Sequence, residues 1–219
     1  MKTVISLGGS LLQKVDIIKK YADVLEELSK MHKIFVVTGG GKVARDLISM
    51  ARSLGASEVV CDTIGIEITR INALILSSAL KNAPKKIPRS FEEAEELSKI
   101  YDIVVMGGTF PGHTTDATAA LLAEYVKADL FLNATSVDGV YSEDPKVSKN
   151  AKKFEKLTHQ QLVEIVSKTT AKAGASVVID LLAAKIIERS KIKTVIFLGD
   201  PENIKKVIEG EKIGTLIES

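Results

Sequence analysis

The amino-acid sequence predicts an α/β sandwich built on a mainly parallel sheet, and two observations carry that expectation. Short β-prone apolar runs alternate with amphipathic helical stretches almost throughout, the order that lays helices over a parallel sheet. Four of those runs pass straight into loops rich in glycine and hydroxyl groups, at 8–10, 39–41, 107–116 and 135–144. Right-handed crossovers within one sheet bring such strand ends to a common edge. Ligands bind in the crevice beyond that edge. With 219 residues, 45% of them hydrophobic, the chain suits a single domain of two intimately joined lobes, about 1–130 and 131–219.

Taken in order, Thr3–Leu7 is the first strand and ends at Gly8-Gly9-Ser10. Val15, Ile18, Ala22, Leu25 and Leu28 then form the stripe of an amphipathic helix. Lys33–Val37 is the second strand and runs into Thr38-Gly39-Gly40-Gly41. A helix follows from Lys42, with Val43, Leu47, Met50 and Leu54 on one face and Gly55 as its stop. Residues 57–80 read as helical and apolar, interrupted at Gly65 and ended by Pro84 and Pro88.

Ser90-Phe91-Glu92-Glu93 is a capping box opening the next helix. After a strand at 102–106 and the loop 107–116, Thr115 or Asp116 caps a helix to about Lys127. Asp129–Asn133 is another strand. Thr158-His159-Gln160-Gln161 caps one helix, and Val177–Arg189 forms another. Lys193–Leu198 is a late strand, and Asp200-Pro201 starts a helix that ends at Gly210. Thr215–Ile217 closes the chain on a sheet edge.

Bulk properties exclude several partners. The formal net charge is +2, from 30 basic and 28 acidic residues, which gives no reason to expect nucleic acid or an anionic membrane. Cys61 stands alone, so no intrachain disulfide forms and a reducing, cytoplasmic setting is expected. The first twelve residues lack a signal peptide's apolar centre, and no apolar run approaches the ~20 residues that span a bilayer.

The loops carry the chemistry. Gly8-Gly9 and Gly39-Gly40-Gly41 offer backbone amides with no side chain in the way, an arrangement that cradles phosphate oxygens. Arg45, one helical turn past Gly41, can reach the same ligand and grip a phosphate with two N–H groups. Neither cluster matches the P-loop or the dinucleotide fingerprint. The loop 107–116 leads into a helix N-terminus, whose free amides and dipole favour an anion. Asp116 there can hold a metal carried by a phosphate. Each loop alone is equally a capped turn; three of them after strands indicate a ligand with several phosphates. Between Thr135 and Pro145, Tyr141 can stack on a base while Thr135 and Asp144 form hydrogen bonds, although Asp138-Gly139 and Asp144-Pro145 are also common turn pairs.

The order Gly-Gly-Ser (8–10), Gly-Gly-Gly-Lys-x-x-Arg (39–45), Asp-x-x-Gly-Ile (62–66), Gly-Gly-Thr-x-Pro-Gly-His-Thr-Thr-Asp (107–116) and Val-Asp-Gly-Val-Tyr-x-x-Asp-Pro (137–145) resembles the amino-acid kinase family. Within that family it is similar to the archaeal uridylate kinases, from Val4 to Glu218, the run Ile179–Ile187 included. The resemblance implies a three-layer α/β/α fold that moves the γ-phosphate of Mg-ATP to UMP, giving UDP for pyrimidine nucleotide synthesis. It implies that Gly8, Gly9, Ser10, Gly41 and Arg45 meet ATP phosphates, and that Thr135, Ser136, Tyr141 and Asp144 hold the ATP nucleoside. UMP falls to Gly40, to Asp62 on the ribose, and to Phe110, Pro111, Gly112, His113, Thr114, Thr115 and Asp116. His113 is given no catalytic part, and no metal is held by the protein alone.

The resemblance also implies a homohexamer, a trimer of dimers, with the apolar helix after Cys61 in the dimer contact. One departure bears on rate. Many members carry a lysine where this chain has Ser6, and acyl-phosphate-forming relatives carry another in the segment that here reads Gly174-Ala175-Ser176-Val177-Val178-Ile179. The substitutes are Lys14 or Lys42, or Mg²⁺ with Arg45 and the helix N-termini. Arg45, Asp116 and Lys42 are thus the catalytic candidates. Two rivals stand beside this reading: a non-catalytic nucleotide-binding or storage protein on the same fold, and a kinase of another small phosphate such as isopentenyl phosphate. Isopentenyl phosphate kinases place a histidine just after the glycine triplet, where this chain has Lys42.

Overall fold

The computed structural model describes residues 1–143, 145, 148, 150–170 and 178–219, with the backbone alone at Thr169 and Thr170. Its strands are β1 (Lys2–Leu7), β2 (Lys33–Thr38), β3 (Ile103–Met106), β4 (Leu130–Thr135), β5 (Lys156–Leu157), β6 (Thr194–Leu198) and β7 (Thr215–Ile217). They form one sheet in the order β3-β2-β1-β4-β6-β7-β5. Every neighbouring pair is parallel except β6 with β7. The chain steps outward from β1 to β2 and β3, then returns to place β4 on the other side of β1. That reversal opens a crevice between the carboxyl ends of β1 and β4, the position where open α/β sheets bind ligands.

The helices are α1 (Val15–Ser29), α2 (Gly41–Ser53), α3 (Glu58–Ala79), α4 (Phe91–Ser98), α5 (Thr115–Tyr125), α6 (His159–Thr170), α7 (Leu181–Ser190) and α8 (Pro201–Ile208). Strand side chains alternate between two faces, and each face has its own core. Val4, Phe35, Val104, Phe131 and Ile196 meet one layer, which includes Ala119, Leu122 and Ala123 of α5 and Ile186 and Ile187 of α7. Ile5, Leu7, Val36, Leu132 and Phe197 meet the other, which includes Tyr21 and Leu25 of α1, Leu76 of α3 and Ile204 of α8. The molecule is therefore the expected three-layer sandwich. Each fully buried Leu, Ile or Phe stabilises it by about 1.5–3 kcal/mol.

Several expectations are corrected. Helix α3 runs straight through Gly65, because that glycine faces Ile48 of α2 and lets the two helices approach. Thr114, not Thr115 or Asp116, caps α5: its hydroxyl accepts from the Ala117 amide at 3.0 Å. Helix α7 starts at Leu181, because Asp180 caps it through the Ala183 amide; Val177 lies outside the described residues. β7 is not the edge, since β5 pairs along its outer side. Ser90 caps α4 as expected, but the Glu93 carboxylate takes the Arg89 amide rather than that of Ser90. Finally, Val43, Leu47, Met50 and Leu54 do share a face of α2, yet that face is exposed and Ala44 alone is buried.

Candidate active site

The crevice is a cleft of about 270 Å³ whose wall draws on Gly8–Ser10, Gly39–Gly41, Arg45, Thr115–Asp116 and Asn133–Thr135. The strand ends hold it in shape. The Gly39 amide donates to the Leu7 carbonyl at 2.9 Å, and the Gly8 amide to the Ala134 carbonyl at 3.2 Å. A Cβ on Gly9 would strike the backbone of Gly39 and Gly41, so the first glycine loop rests on the second. Gly41 itself adopts φ +65°, a left-handed conformation open to glycine. The glycines are thus needed both for access to the amides and for contact between loops.

Helix α3 braces these loops from behind. The Asn72 amide donates to the Gly39 carbonyl at 2.7 Å. The Thr69 hydroxyl accepts from the Gly108 amide at 2.7 Å and donates to the Ile66 carbonyl. The buried Thr38 hydroxyl donates to the Thr69 carbonyl at 2.8 Å, which ties β2 to the same helix.

Arg45 lines the cleft from the first turns of α2 and is exposed, with no ion-pair partner among the described residues. Lys42 is different. Its ammonium pairs with Asp46 on the outside of α2, and it is not part of the cleft wall.

On the opposite wall, Ser6 Oγ donates to Asp116 Oδ1 at 2.6 Å. Asp116 is packed deep against protein with one side toward the cleft, and its carboxyl is pushed up to about 6. Burial is the main cause. The Ser6 bond opposes it, the charge of Asp180 adds to it, and the Asn133 carboxamide favours the charged form. Asp180 also accepts from the Thr114 hydroxyl, so the caps of α5 and α7 are joined. Two carboxylates beside a row of amides suit hard oxygen ligation of a divalent cation that arrives with a polyphosphate. Among the described residues, no group of three or more His, Cys, Asp or Glu could hold a metal.

The remaining candidates lie around this centre. Asp62 Oδ2 accepts from the Gly112 amide at 2.8 Å, so the loop 110–116 is tethered to α3. Gly112 has φ +83°, which favours glycine at that tether. Phe110 is exposed, with its ring 6.2 Å from that of His113, and Pro111 lies between them. Past Thr135, Ser136 is exposed, and the Tyr141 hydroxyl donates to Asp138 Oδ1 at 2.8 Å. Asp144, and residues 174–177 of the late segment, lie outside the described residues. Asp180, Asn72, Thr69 and Asn133 were not among the sequence candidates. The available signal was a polar residue inside an otherwise apolar strand or helix, and for Asp180 a cap followed by an apolar run.

Comparison with known proteins adds an independent line. The amino acid kinase family matches residues 1–198. The chain is 62% identical over 218 residues to the uridylate kinase of Archaeoglobus fulgidus, covering 99% of this chain and 100% of that protein. It is 48% identical over 225 residues to the uridylate kinase of Methanocaldococcus jannaschii, covering 100% of both. The crystal structure of uridylate kinase from A. fulgidus superposes with a TM-score of 0.93 at 60% identity, over 99% of this chain and 100% of that one. That of UMP kinase from Bacillus anthracis gives 0.82 at 25% identity, over 99% and 95%.

Proposed function

The chain belongs to the amino acid kinase family, and on that premise we propose that it is a uridylate kinase, moving the γ-phosphate of Mg-ATP to UMP. The observation that carries this reading is its end-to-end likeness to uridylate kinases. The cleft fits the chemistry. Phosphoryl transfer asks little covalent work of a protein; it asks that two anions be held in line with their charge offset. An oxygen of the acceptor phosphate bonds to the γ-phosphorus as the bond to the β,γ-bridging oxygen breaks, and ADP leaves with that electron pair. No proton need move, so no general base is required.

In this reading the amides of Gly8–Ser10 and Gly41 receive the ATP phosphates, and Arg45 grips the group in transfer from the α2 side. The loop 110–116, Gly40 and Asp62 hold UMP, while Thr135, Ser136, Tyr141 and Asp144 hold the ATP nucleoside. Asp116, with Asp180 beside it, offers carboxylate oxygens to the Mg²⁺ that enters with ATP, and that ion would offset phosphate charge. Lys42 is given no contact in this arrangement, since it is not among the residues of the cleft wall and its ammonium pairs with Asp46. The acceptor lobe is about 1–130 and the ATP lobe about 131–219. The protein works in the cytoplasm as a homohexamer, and the exposed apolar faces of α2 and α3 supply the contacts.

One assay tests the reading: ADP release from Mg-ATP with UMP, CMP, isopentenyl phosphate, N-acetylglutamate and aspartate offered side by side. Strong preference for UMP is expected. Preference for another acceptor would discard the Asp62 assignment, and ATP binding with no transfer to any would leave a nucleotide-binding protein.

A further inference from the structure

One face of α3 reaches two of the strand-end loops. Thr69 takes the Gly108 amide at the root of the loop 107–116, and Asn72, three residues on, faces the glycine triplet. The Asn72 carboxamide is half-buried and donates to the Gly39 carbonyl at 2.7 Å, with the Gly40 carbonyl at 3.4 Å. Only its nitrogen can face that pair, because its oxygen would meet two further acceptors.

The bond fixes a plane. Gly39 is buried, its amide is given to the Leu7 carbonyl, and its peptide link to Gly40 is trans. In a planar trans peptide the N–H points opposite to the C=O. Holding the Gly39 carbonyl against α3 therefore turns the Gly40 N–H away from α3. Gly40 is half-buried on the cleft wall, and its N–H has no acceptor among the described residues. Two glycines flank this peptide and no side chain limits its rotation, so its orientation needs an outside support. The Gly40 carbonyl has a second one, the Ala44 amide in the first turn of α2, at 3.4 Å. The Gly41 N–H is thus held by its helix as well, whereas the Gly40 N–H depends on Asn72.

We propose that Asn72 is a positioning residue for the acceptor phosphate: it sets the Gly39–Gly40 peptide so that the Gly40 N–H donates to a phosphate oxygen of UMP. This rests on the kinase reading above, which gives Gly40 to UMP. Asn72 acts through the backbone and takes no part in the transfer itself. Without it the peptide can turn, and a carbonyl oxygen in place of the N–H repels the phosphate.

The test compares wild type, Asn72→Ala, Asn72→Leu and Ala73→Gly, measuring kcat, KM for UMP and for Mg-ATP, UMP binding by titration calorimetry, and the melting temperature. Ala73→Gly is the control for a loosened helix: it weakens α3 beside the same site and leaves the donor in place. The Asn72 variants should raise KM and Kd for UMP by about 10- to 100-fold, the weight of a hydrogen bond to a charged group. KM for ATP and kcat should change by less than about threefold. Ala73→Gly should lower the melting temperature and leave both KM values near those of wild type. The inference is overturned if KM for UMP stays within about twofold of wild type, if both KM values rise in step in the Asn72 variants, or if neither Asn72 variant folds. A wild type that binds UMP but forms no UDP fails the kinase reading, and the calorimetric comparison still decides this inference. A wild type that does not bind UMP fails both.

Discussion

Asp116 shows how a single residue trades stability for chemistry. Its carboxyl sits at about 6 instead of 3.8, chiefly through burial, with the Ser6 bond pulling down and the Asp180 charge pushing up. The folded protein therefore binds this proton more tightly than the unfolded chain does. Its favourable contribution is complete below about pH 4 and is lost as pH rises through about 6. Asp116→Asn keeps an oxygen for the Ser6 hydroxyl and never ionises. Its unfolding free energy, read from denaturant titration, is expected to match wild type near pH 4 and to exceed it at pH 8, by ~2 kcal/mol after allowing for water in the cleft. UDP formation should nearly vanish, and wild-type activity should climb with pH through about 6. A variant less stable than wild type at pH 8 would show that the buried charge is not costly. Arg45→Ala makes the contrast. Exposed, and without an ion-pair partner among the described residues, Arg45 does little for the fold, so its loss should lower kcat and raise KM together while melting is unchanged. Arg45 was legible in the sequence because its motif is local. Asn133 and Asp180 were not, because their meaning comes from the register Ser6↔Asn133 and the bond from Thr114 to Asp180, across long stretches of chain.

At the scale of elements, the strand–loop–helix units were legible because apolar periodicity and caps are short-range signals. Ser90, Thr158 and Asp200 each cap the helix that the sequence assigned to them. Misreadings arose where a partner from elsewhere decides. Gly65 reads as a break until Ile48 is seen against it, and β5, only Lys156–Leu157, exists because β7 offers a free side. The glycine loops were read as open cradles, and the structure adds that they bear on one another. Gly9→Ala is expected to push the first loop off Gly39 and Gly41, lowering stability by about 1–3 kcal/mol as overpacking does. ATP binding, read by titration calorimetry, should weaken sharply. Gly8→Ala is the control: a Cβ there meets only ordinary contacts, so the fold should tolerate it. Equal damage from both would mean that the amides matter and the loop-to-loop contact does not.

The whole molecule joins the site to its surface through α2. That helix starts at Gly41 in the cleft and carries Arg45, yet it rests on α3 rather than on the sheet, and its apolar face is bare. Val43, Leu47, Met50 and Leu54 are exposed on α2, and Val59, Val60, Ile71, Leu74 and Ile75 on α3. An apolar surface of this extent marks an interface. On the homohexamer proposed above, sedimentation of the wild type should give a mass near six times the 23.6 kDa chain. Leu47→Glu with Met50→Glu puts two charges on that face without touching the cleft wall, and should release smaller, folded species. Activity should fall with the assembly, because α2 loses the contact that steadies its outer side and Arg45 moves with it. The loss should appear mainly as a raised KM, since the two substitutions remove no group from the cleft wall. A double variant that dissociates yet keeps its KM would show that α3 alone fixes α2. A variant that stays assembled would move the interface off this face.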